Sequence, residues 1–278
     1  MKATLINSYK ENGYVIIKGL LSQYLLDQQL KNIYMLLLRF HKPDEKLKKF
    51  EQPWNKLLFH QEIIKFRKKN PKAFSGFYDC VQSSLSLTRL LTSKNLVKCV
   101  SDILEVDVCE LSSSTLECRI DVPNDTRNLA NWHQDFSYFN HNLLGLKTLT
   151  CWAPLVKLSS KSGYLQVYKK SHLEGMASSG LNEKWNKPRD VNDNDNLFTE
   201  QLSIKKNVNL NKYKIESVKV ELGDVLFFNM FLIHRSGINM SNKIRFSAQN
   251  RFHMATSKDF VPYRFIPQRN PFVKEFGN

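Results

Sequence analysis

Two textures of hydrophobic spacing divide the chain. Up to about residue 105 the apolar positions recur at helical intervals, and after Val106 they come in short runs broken by Gly, Asn, Ser and Pro. In the first part, Thr4 to Asn12 predicts a short helix that stops at Gly13, since a residue with positive φ commonly ends a helix. Tyr14-Val15-Ile16-Ile17-Lys18-Gly19 reads as a strand, β-branched and closed by a glycine. Ser22 then caps a helix from about Gln23 to Phe40, in which Leu25, Leu26, Gln29-Leu30, Ile33, Leu36, Leu37 and Phe40 fall at helical spacing and predict one buried stripe. Residues from Pro53 to Val106 predict further helices. Loops are expected around Asn70-Pro71 and Phe74-Ser75-Gly76, and the last helix is the amphipathic stretch Leu96 to Leu104.

The second part predicts strands over Cys109 to Ile120, Thr148 to Leu155, Gly163 to Tyr168, Ser217 to Leu222, Val225 to His234 and Ile244 to Met254. They never alternate regularly with helices, which disfavours a parallel α/β fold. An antiparallel barrel or jelly roll fits better. The expected fold is therefore mainly β with flanking helices, an α+β chain with a cupin-like core. With no internal repeat and no clean linker, a single domain over 1–278 is expected: a helical flank at 1–105, the β core at 106–256 and a tail at 257–278. The core carries a long polar insert at 174–214. Asn192-Asp193-Asn194-Asp195-Asn196 at its centre lacks the glycine and closing glutamate of a calcium loop. An insert of this length reads as a lid or a disordered segment, in either case bordering the site.

Composition narrows the class. The chain has 278 residues and 42% hydrophobic content, with 18 Phe, 10 Tyr and 4 Trp, enough for a substantial packed core. No apolar run is long enough for a bilayer span, and the N-terminus lacks a secretory signal pattern, so a soluble cytoplasmic protein is expected. The 5 cysteines are scattered without a C-x-x-C pair, which suggests reduced thiols. A net charge of +15 admits nucleic acid, anionic lipid or an anionic small substrate. The excess is mostly lysine in a chain also rich in Asn and Ile, a bias that the codon composition of the source genome can produce without any function. The densest basic region, Lys42 to Lys72, has few interleaved aromatics for stacking bases. It reads as a solvated helical face, and a nucleic-acid role is disfavoured.

Chemistry concentrates at Asn131-Trp132-His133-Gln134-Asp135-Phe136-Ser137-Tyr138-Phe139, which reads as the end of a strand. In an extended chain His133 and Asp135 point the same way and Gln134 points to the other face. One imidazole and one carboxylate converge there. The pair could hold several metals, and it is two thirds of the facial arrangement that holds non-haem Fe(II). Among the other histidines, His41 and His60 lie among basic residues and His141 in a polar turn, so surface roles are expected for them. His234 differs, because it closes the hydrophobic run Val225 to Ile233 just before a turn. If Gly237 to Asn242 form a hairpin connection, His234 and Arg245 oppose one another with Cβ atoms about 5 Å apart. A guanidinium there would be a bidentate receptor for a carboxylate beside the metal. Ser247, Gln249 and Arg251 share that face, and Ile244, Phe246, Ala248 and Phe252 take the packed one.

At these residues the sequence resembles the phytanoyl-CoA dioxygenase-like family of Fe(II)- and 2-oxoglutarate-dependent oxygenases. The resemblance runs through Gly13 to Gly19, Trp132-His133-Gln134-Asp135, Ser162 to Val167 with Ser171-His172, Leu222 to Val225, and His234-Arg235-Ser236-Gly237 with Asn239, Ser241 and Arg245. Lys169-Lys170 depart from the small residues expected before Ser171-His172. The resemblance implies a double-stranded β-helix core, iron held by His133, Asp135 and His234, and Arg245 on the distal carboxylate of 2-oxoglutarate. Ser236 would assist, and Gln134 counts among the cosubstrate-binding candidates. His172 reads as structural. O2 is the further cosubstrate, with succinate and CO2 released.

Relatives that transfer halide replace the carboxylate with a small residue. Retention of Asp135 therefore favours hydroxylation of an unactivated C–H bond. Phe136, Tyr138, Trp152, Arg119 and Arg251 are the candidate substrate contacts, and Trp152 shares strand parity with Thr148 and Thr150. Nothing marks an acyl-CoA site, so a small polar or anionic metabolite is expected as substrate. A catalytically silent metal-binding module and a nucleic-acid oxygenase are the rival readings. The sequence leaves the oligomeric state open.

Overall fold

The computed structural model describes residues 2–125, 131–137, 142, 147–177, 204 and 208–261. Tyr138, Phe139, His141, the Asn192 to Asn196 stretch, most of the 174–214 insert and most of the 257–278 tail lie outside the described residues. Helix α1 (Lys2–Asn12) ends at Gly13, whose φ is +83°. A Cβ there would lie 2.5 Å from Nδ1 of His172, so the turn needs glycine for both conformation and space. Strand β1 (Tyr14–Ile17) follows, then α2 (Gln23–Phe40), capped by the Ser22 hydroxyl accepting from the Leu25 N–H.

Four more helices complete the flank: α3 (Leu57–Lys69), α4 (Pro71–Gln82), α5 (Leu85–Leu91) and α6 (Lys94–Leu104). The loop expected at Phe74-Ser75-Gly76 lies inside α4. Asn70 accepts from the Ala73 N–H and Pro71 opens the first turn, which together start the helix before that segment. No helix among the described residues is long and apolar enough to cross a membrane.

The strands form two antiparallel sheets. The larger runs β1, β7 (Val225–Asn229), β4 (Thr148–Pro154), β9 (Arg245–Met254), with β2 (Leu111–Ser113) and β3 (Glu117–Asp121) sharing the far edge of β9. The smaller runs β6 (Ile215–Val218), β5 (Leu165–Tyr168), β8 (His234–Ser236). Alternate residues serve two cores. Leu149, Cys151 and Ala153 of β4, Phe227 of β7 and Phe246, Ala248 and Phe252 of β9 pack with the helices. Trp152, Leu226 and Phe228 pack instead with Leu165, Val167 and Val218 of the smaller sheet.

Three sequence expectations about strands are corrected. Cys109 to Ile120 is two strands, which lets both pair with the long β9. Val225 to His234 is not one strand: β7 ends at Asn229, whose side chain accepts from the Phe231 N–H, and its carbonyl accepts from the Leu232 N–H. Met230, Leu232 and Ile233 are wholly buried in that turn, so apolar character there reports a packed turn and not strand continuation. His234 consequently opens β8 in the smaller sheet. It pairs with Val167 of β5, and the expected hairpin between His234 and Arg245 does not form.

Candidate metal centre

His133 lies in an isolated bridge to His234, not at the end of a longer strand. The two residues exchange backbone hydrogen bonds of 3.1 and 2.9 Å. The chain then turns into a short 3-10 helix, Asp135–Ser137, fastened by the Phe136 N–H to the carbonyl of Met230. This folds the aspartate back over the bridged histidines. The ligand atoms of His133, Asp135 and His234 all lie within 4.8 Å of one another, and the three residues are buried.

The donor set fits a divalent cation. His133 Nδ1 lies 2.7 Å from the carbonyl of Asn131 and His234 Nδ1 lies 2.9 Å from that of Leu232. A carbonyl only accepts, so each Nδ1 carries the proton and each Nε2 keeps its lone pair. Those Nε2 atoms lie 3.6 and 3.5 Å from Oδ1 of Asp135. Burial and the adjacent His234 ring lower the pKa of His133, favouring the neutral ligand form. Burial opposes ionisation of Asp135, but the Arg251 guanidinium, with the two imidazoles, holds its carboxyl well below the usual carboxylate range. Two neutral nitrogens and one anionic oxygen on one side of a point match the two-histidine, one-carboxylate arrangement, which leaves the other side open.

The second carboxylate oxygen is held by protein. Oδ2 of Asp135 accepts from the Thr150 hydroxyl at 2.7 Å and from Nε of Arg251 at 3.0 Å. Arg251, a sequence-level candidate for substrate contact, donates to Asp135 and, through Nη1, to Glu117 at 3.3 Å.

Arg119, Asp121 and Arg245 form a second cluster, with Asp121 and Arg245 buried and Arg119 half-buried. Asp121 receives Nη2 of Arg119 on Oδ1 at 3.0 Å, and Nε and Nη2 of Arg245 on Oδ2 at 3.0 and 2.9 Å. Burial disfavours the Asp121 charge, yet the two guanidiniums keep its pKa below the ordinary value. Burial likewise lowers the pKa of Arg245. Nη1 of Arg245 donates to the carbonyls of Ser162, Gly163 and Gly237. Arg245 thus reaches the end of β8, one residue beyond Ser236, by spanning the two sheets and not by cross-strand pairing. Ser247 is buried on the same strand face, and its hydroxyl has no hydrogen-bond partner among the described residues.

Other candidates have structural duties. Gln134 is completely buried and braces loops: its amide nitrogen donates to the carbonyls of Gly175 and Phe231, and its oxygen accepts from the Ala177 N–H. Its side-chain amide is thereby engaged in the frame beside the metal ligands. Phe136 is buried with its ring 4.6 Å from that of Phe231, and Trp152 sits in the core between the sheets. Trp132 lies between Tyr168, at 4.3 Å, and the Arg235 guanidinium, at 4.5 Å. Tyr138 lies outside the described residues.

His172 is structural as expected, with Nε2 2.9 Å from the carbonyl of Lys10. His60 is not a surface residue. It is buried, and its Nδ1 accepts from the Ile244 N–H at the start of β9. His41 is half-buried, stacked on Phe66 and 3.3 Å from Glu62.

Sequence reading missed Asp121, Glu117 and Thr150. The signal was present in the alternation of Glu117, Arg119 and Asp121, a charged residue at every second position of a strand whose other side chains are apolar.

A family model described as Phytanoyl-CoA dioxygenase (PhyH) matches residues 9–247. A search of curated proteins found no match. Among solved structures, the chain is similar to the epimerase SnoN in complex with Fe3+, alpha ketoglutarate and nogalamycin RO. The identity is 17% over 98% of this chain and 88% of that one, with a TM-score of 0.60. It is also similar to the non-heme alpha ketoglutarate dependent carbocyclase SnoK from nogalamycin biosynthesis (15% identity, 93% and 88% covered, TM-score 0.55). EvdO2 from Micromonospora carbonacea var. aurantiaca, complexed with 2-oxoglutarate, is a third (15% identity, 93% and 94% covered, TM-score 0.53). At these identities the likeness concerns the fold. The family match covers all three residues of the metal-ligand cluster and every strand except most of β9, and the chain belongs to the phytanoyl-CoA dioxygenase family of non-haem iron and 2-oxoglutarate-dependent oxygenases.

Proposed function

We propose that this oxygenase hydroxylates an unactivated C–H bond of a small polar or anionic metabolite, with 2-oxoglutarate converted to succinate and CO2. Its two sheets are read as a double-stranded β-helix, and the five free thiols suit a reducing, cytoplasmic setting. The observation that carries the reading is the triad itself, with two Nε2 atoms and one carboxylate oxygen converging while their opposite atoms are fixed by hydrogen bonds. His133, Asp135 and His234 would hold the iron, which together with 2-oxoglutarate supplies the oxidising chemistry. Retention of Asp135 favours hydroxylation over halide transfer.

Charge balance supports the cosubstrate. Arg119, Arg245 and Arg251 are matched by Glu117, Asp121 and Asp135, so a dication added at the triad is matched by a dianionic cosubstrate. Arg245, which reaches the carbonyl of Gly237 next in sequence to Ser236 and has the unsatisfied Ser247 hydroxyl on the same strand face, is assigned to the distal carboxylate with Ser236 as helper. Arg119 is assigned to the same anionic end through Asp121.

Two measurements test the reading. Fe(II) binding under anaerobic conditions should be lost in His133→Ala and Asp135→Ala, whereas Arg245→Ala should keep metal and bind 2-oxoglutarate more weakly. A screen of small metabolites should then find one that stimulates succinate release under Fe(II), ascorbate and oxygen. Unchanged cosubstrate affinity in Arg245→Ala would remove that assignment. Metal retention without succinate release under any condition would favour a silent module.

A further inference from the structure

Oδ1 and Oδ2 of Asp135 face different surroundings. Oδ1 is turned to the two imidazole Nε2 atoms, and Oδ2 is buried against Thr150 and Arg251. Thr150 and Arg251 are direct cross-strand partners in the β4–β9 pair, so the sheet register itself brings both donors to one oxygen. All three residues are buried, with Thr150 completely so. Arg251 is steadied in turn by Glu117, which also receives the Gln249 side-chain N–H. One guanidinium therefore spans two carboxylates through two separate nitrogens, Nε and Nη1, in the fixed geometry of its planar fork, which a point-like lysine ammonium does not reproduce.

We propose that Thr150 and Arg251 are positioning residues for the metal, holding Oδ2 so that Asp135 offers the ion Oδ1 alone. This rests on the iron site proposed above. A carboxylate free to rotate could chelate through both oxygens and occupy a position needed by cosubstrate or oxygen. With Oδ2 committed to two donors, one of them charged, chelation would require breaking both hydrogen bonds in a buried setting. Glu117 keeps Arg251 in line and makes the clamp a three-residue unit around the ligand.

The test uses the full-length protein and Ni(II), which binds such donor sets without redox chemistry. The dissociation constant is read by competition with a chelator. Partners that orient metal ligands typically contribute about 10- to 100-fold in metal affinity. Arg251→Lys should weaken Ni(II) binding by that factor, and the nearly isosteric Thr150→Val should weaken it by several-fold. Both effects should vanish in an Asp135→Ala background, where the two histidines still hold Ni(II), a stronger-binding ion than Fe(II), at a weaker but measurable affinity. Thr150→Val removes one hydroxyl at almost constant volume, so it serves even where the arginine variant folds poorly. Wild-type Ni(II) affinity in a folded Thr150→Val protein would overturn the clamp. So would equal losses with and without Asp135, because they would mark a general structural role. Failure of the unaltered protein to bind Ni(II) or Fe(II) would instead overturn the iron site on which the clamp depends.

Discussion

Protonating one histidine far from the triad should loosen the strand that carries its supporting arginines. His60, on α3, is 4% exposed, with its ring centroid 5.8 Å from that of Phe59 and 5.6 Å from that of Phe246. Its Nδ1 accepts the Ile244 N–H at 3.1 Å, so the neutral ring carries its proton on Nε2. An imidazolium has no lone pair left to accept that bond. Burial, helped by the nearby Lys243 charge, lowers the pKa to about 4. Against an unfolded value of about 6.5, this is roughly 2.5 units, or about 3 kcal/mol.

The folded state takes up the His60 proton later than the unfolded chain does. Stability from this residue is therefore level above about pH 6.5, falls as the pH drops toward 4, and levels again below. About 2.5 kcal/mol should be gone by about pH 4.5. The assay is urea unfolding of wild type and His60→Gln at about pH 7.5 and about pH 4.5, comparing unfolding free energies from the two curves. Glutamine can accept the Ile244 N–H but does not titrate, and the other histidines contribute equally to both proteins. Wild type should lose more stability on acidification than the variant, by about 2 to 3 kcal/mol. Parallel losses would refute a buried, neutral His60.

Other perturbations bear on different parts of the frame. Gly13→Ala places a Cβ against His172 at a positive φ, and should lower the unfolding free energy by more than about 1 kcal/mol in thermal melts. Phe77→Ala removes a wholly buried ring packed against Phe40, Phe66 and Phe74, and should cost about 3 to 5 kcal/mol by urea titration. Asp121→Ala leaves Arg119 and Arg245 without their shared carboxylate. It should cost about 3 to 5 kcal/mol in the same assay and weaken 2-oxoglutarate binding measured by calorimetry, while Ni(II) affinity stays near wild type.

Local signals in the sequence were reliable where one residue type has one physical role. Ser22 capping α2 and Gly13 ending α1 depend on neighbouring atoms alone. His133 and Asp135 do converge, but through the 3-10 turn at Asp135 and not through the alternation of a strand. The errors share a different origin. Val225 to Ile233 reads as one strand because apolar character does not separate a strand from a turn packed in the core. Asn229, the residue that makes the turn, signals it only weakly. His60 reads as a surface residue because its neighbours in sequence are basic, yet helical geometry turns it toward Phe246, nearly two hundred positions away. The Arg245 register inferred from chain proximity was wrong in detail. Even so, the residue meets the end of β8, because two facing sheets bring strands together that do not pair.

The metal ligands and the helices are coupled through β9. Its side chains alternate between Phe246, Ala248 and Phe252, packed against the helices, and Arg245, Ser247, Gln249 and Arg251 on the opposite face. A one-residue slip of β9 would exchange the two sets, burying arginines among leucines and withdrawing Arg251 from Asp135. The register is therefore specified by apolar contacts such as the stacking of Phe246 on Phe59, with ring centroids 5.8 Å apart. Asp135 sits on a short turn far from β9 in sequence, and it acquires a single available oxygen only when that register is correct. The helical flank, which contributes no metal ligand, thereby determines the geometry of the carboxylate that does.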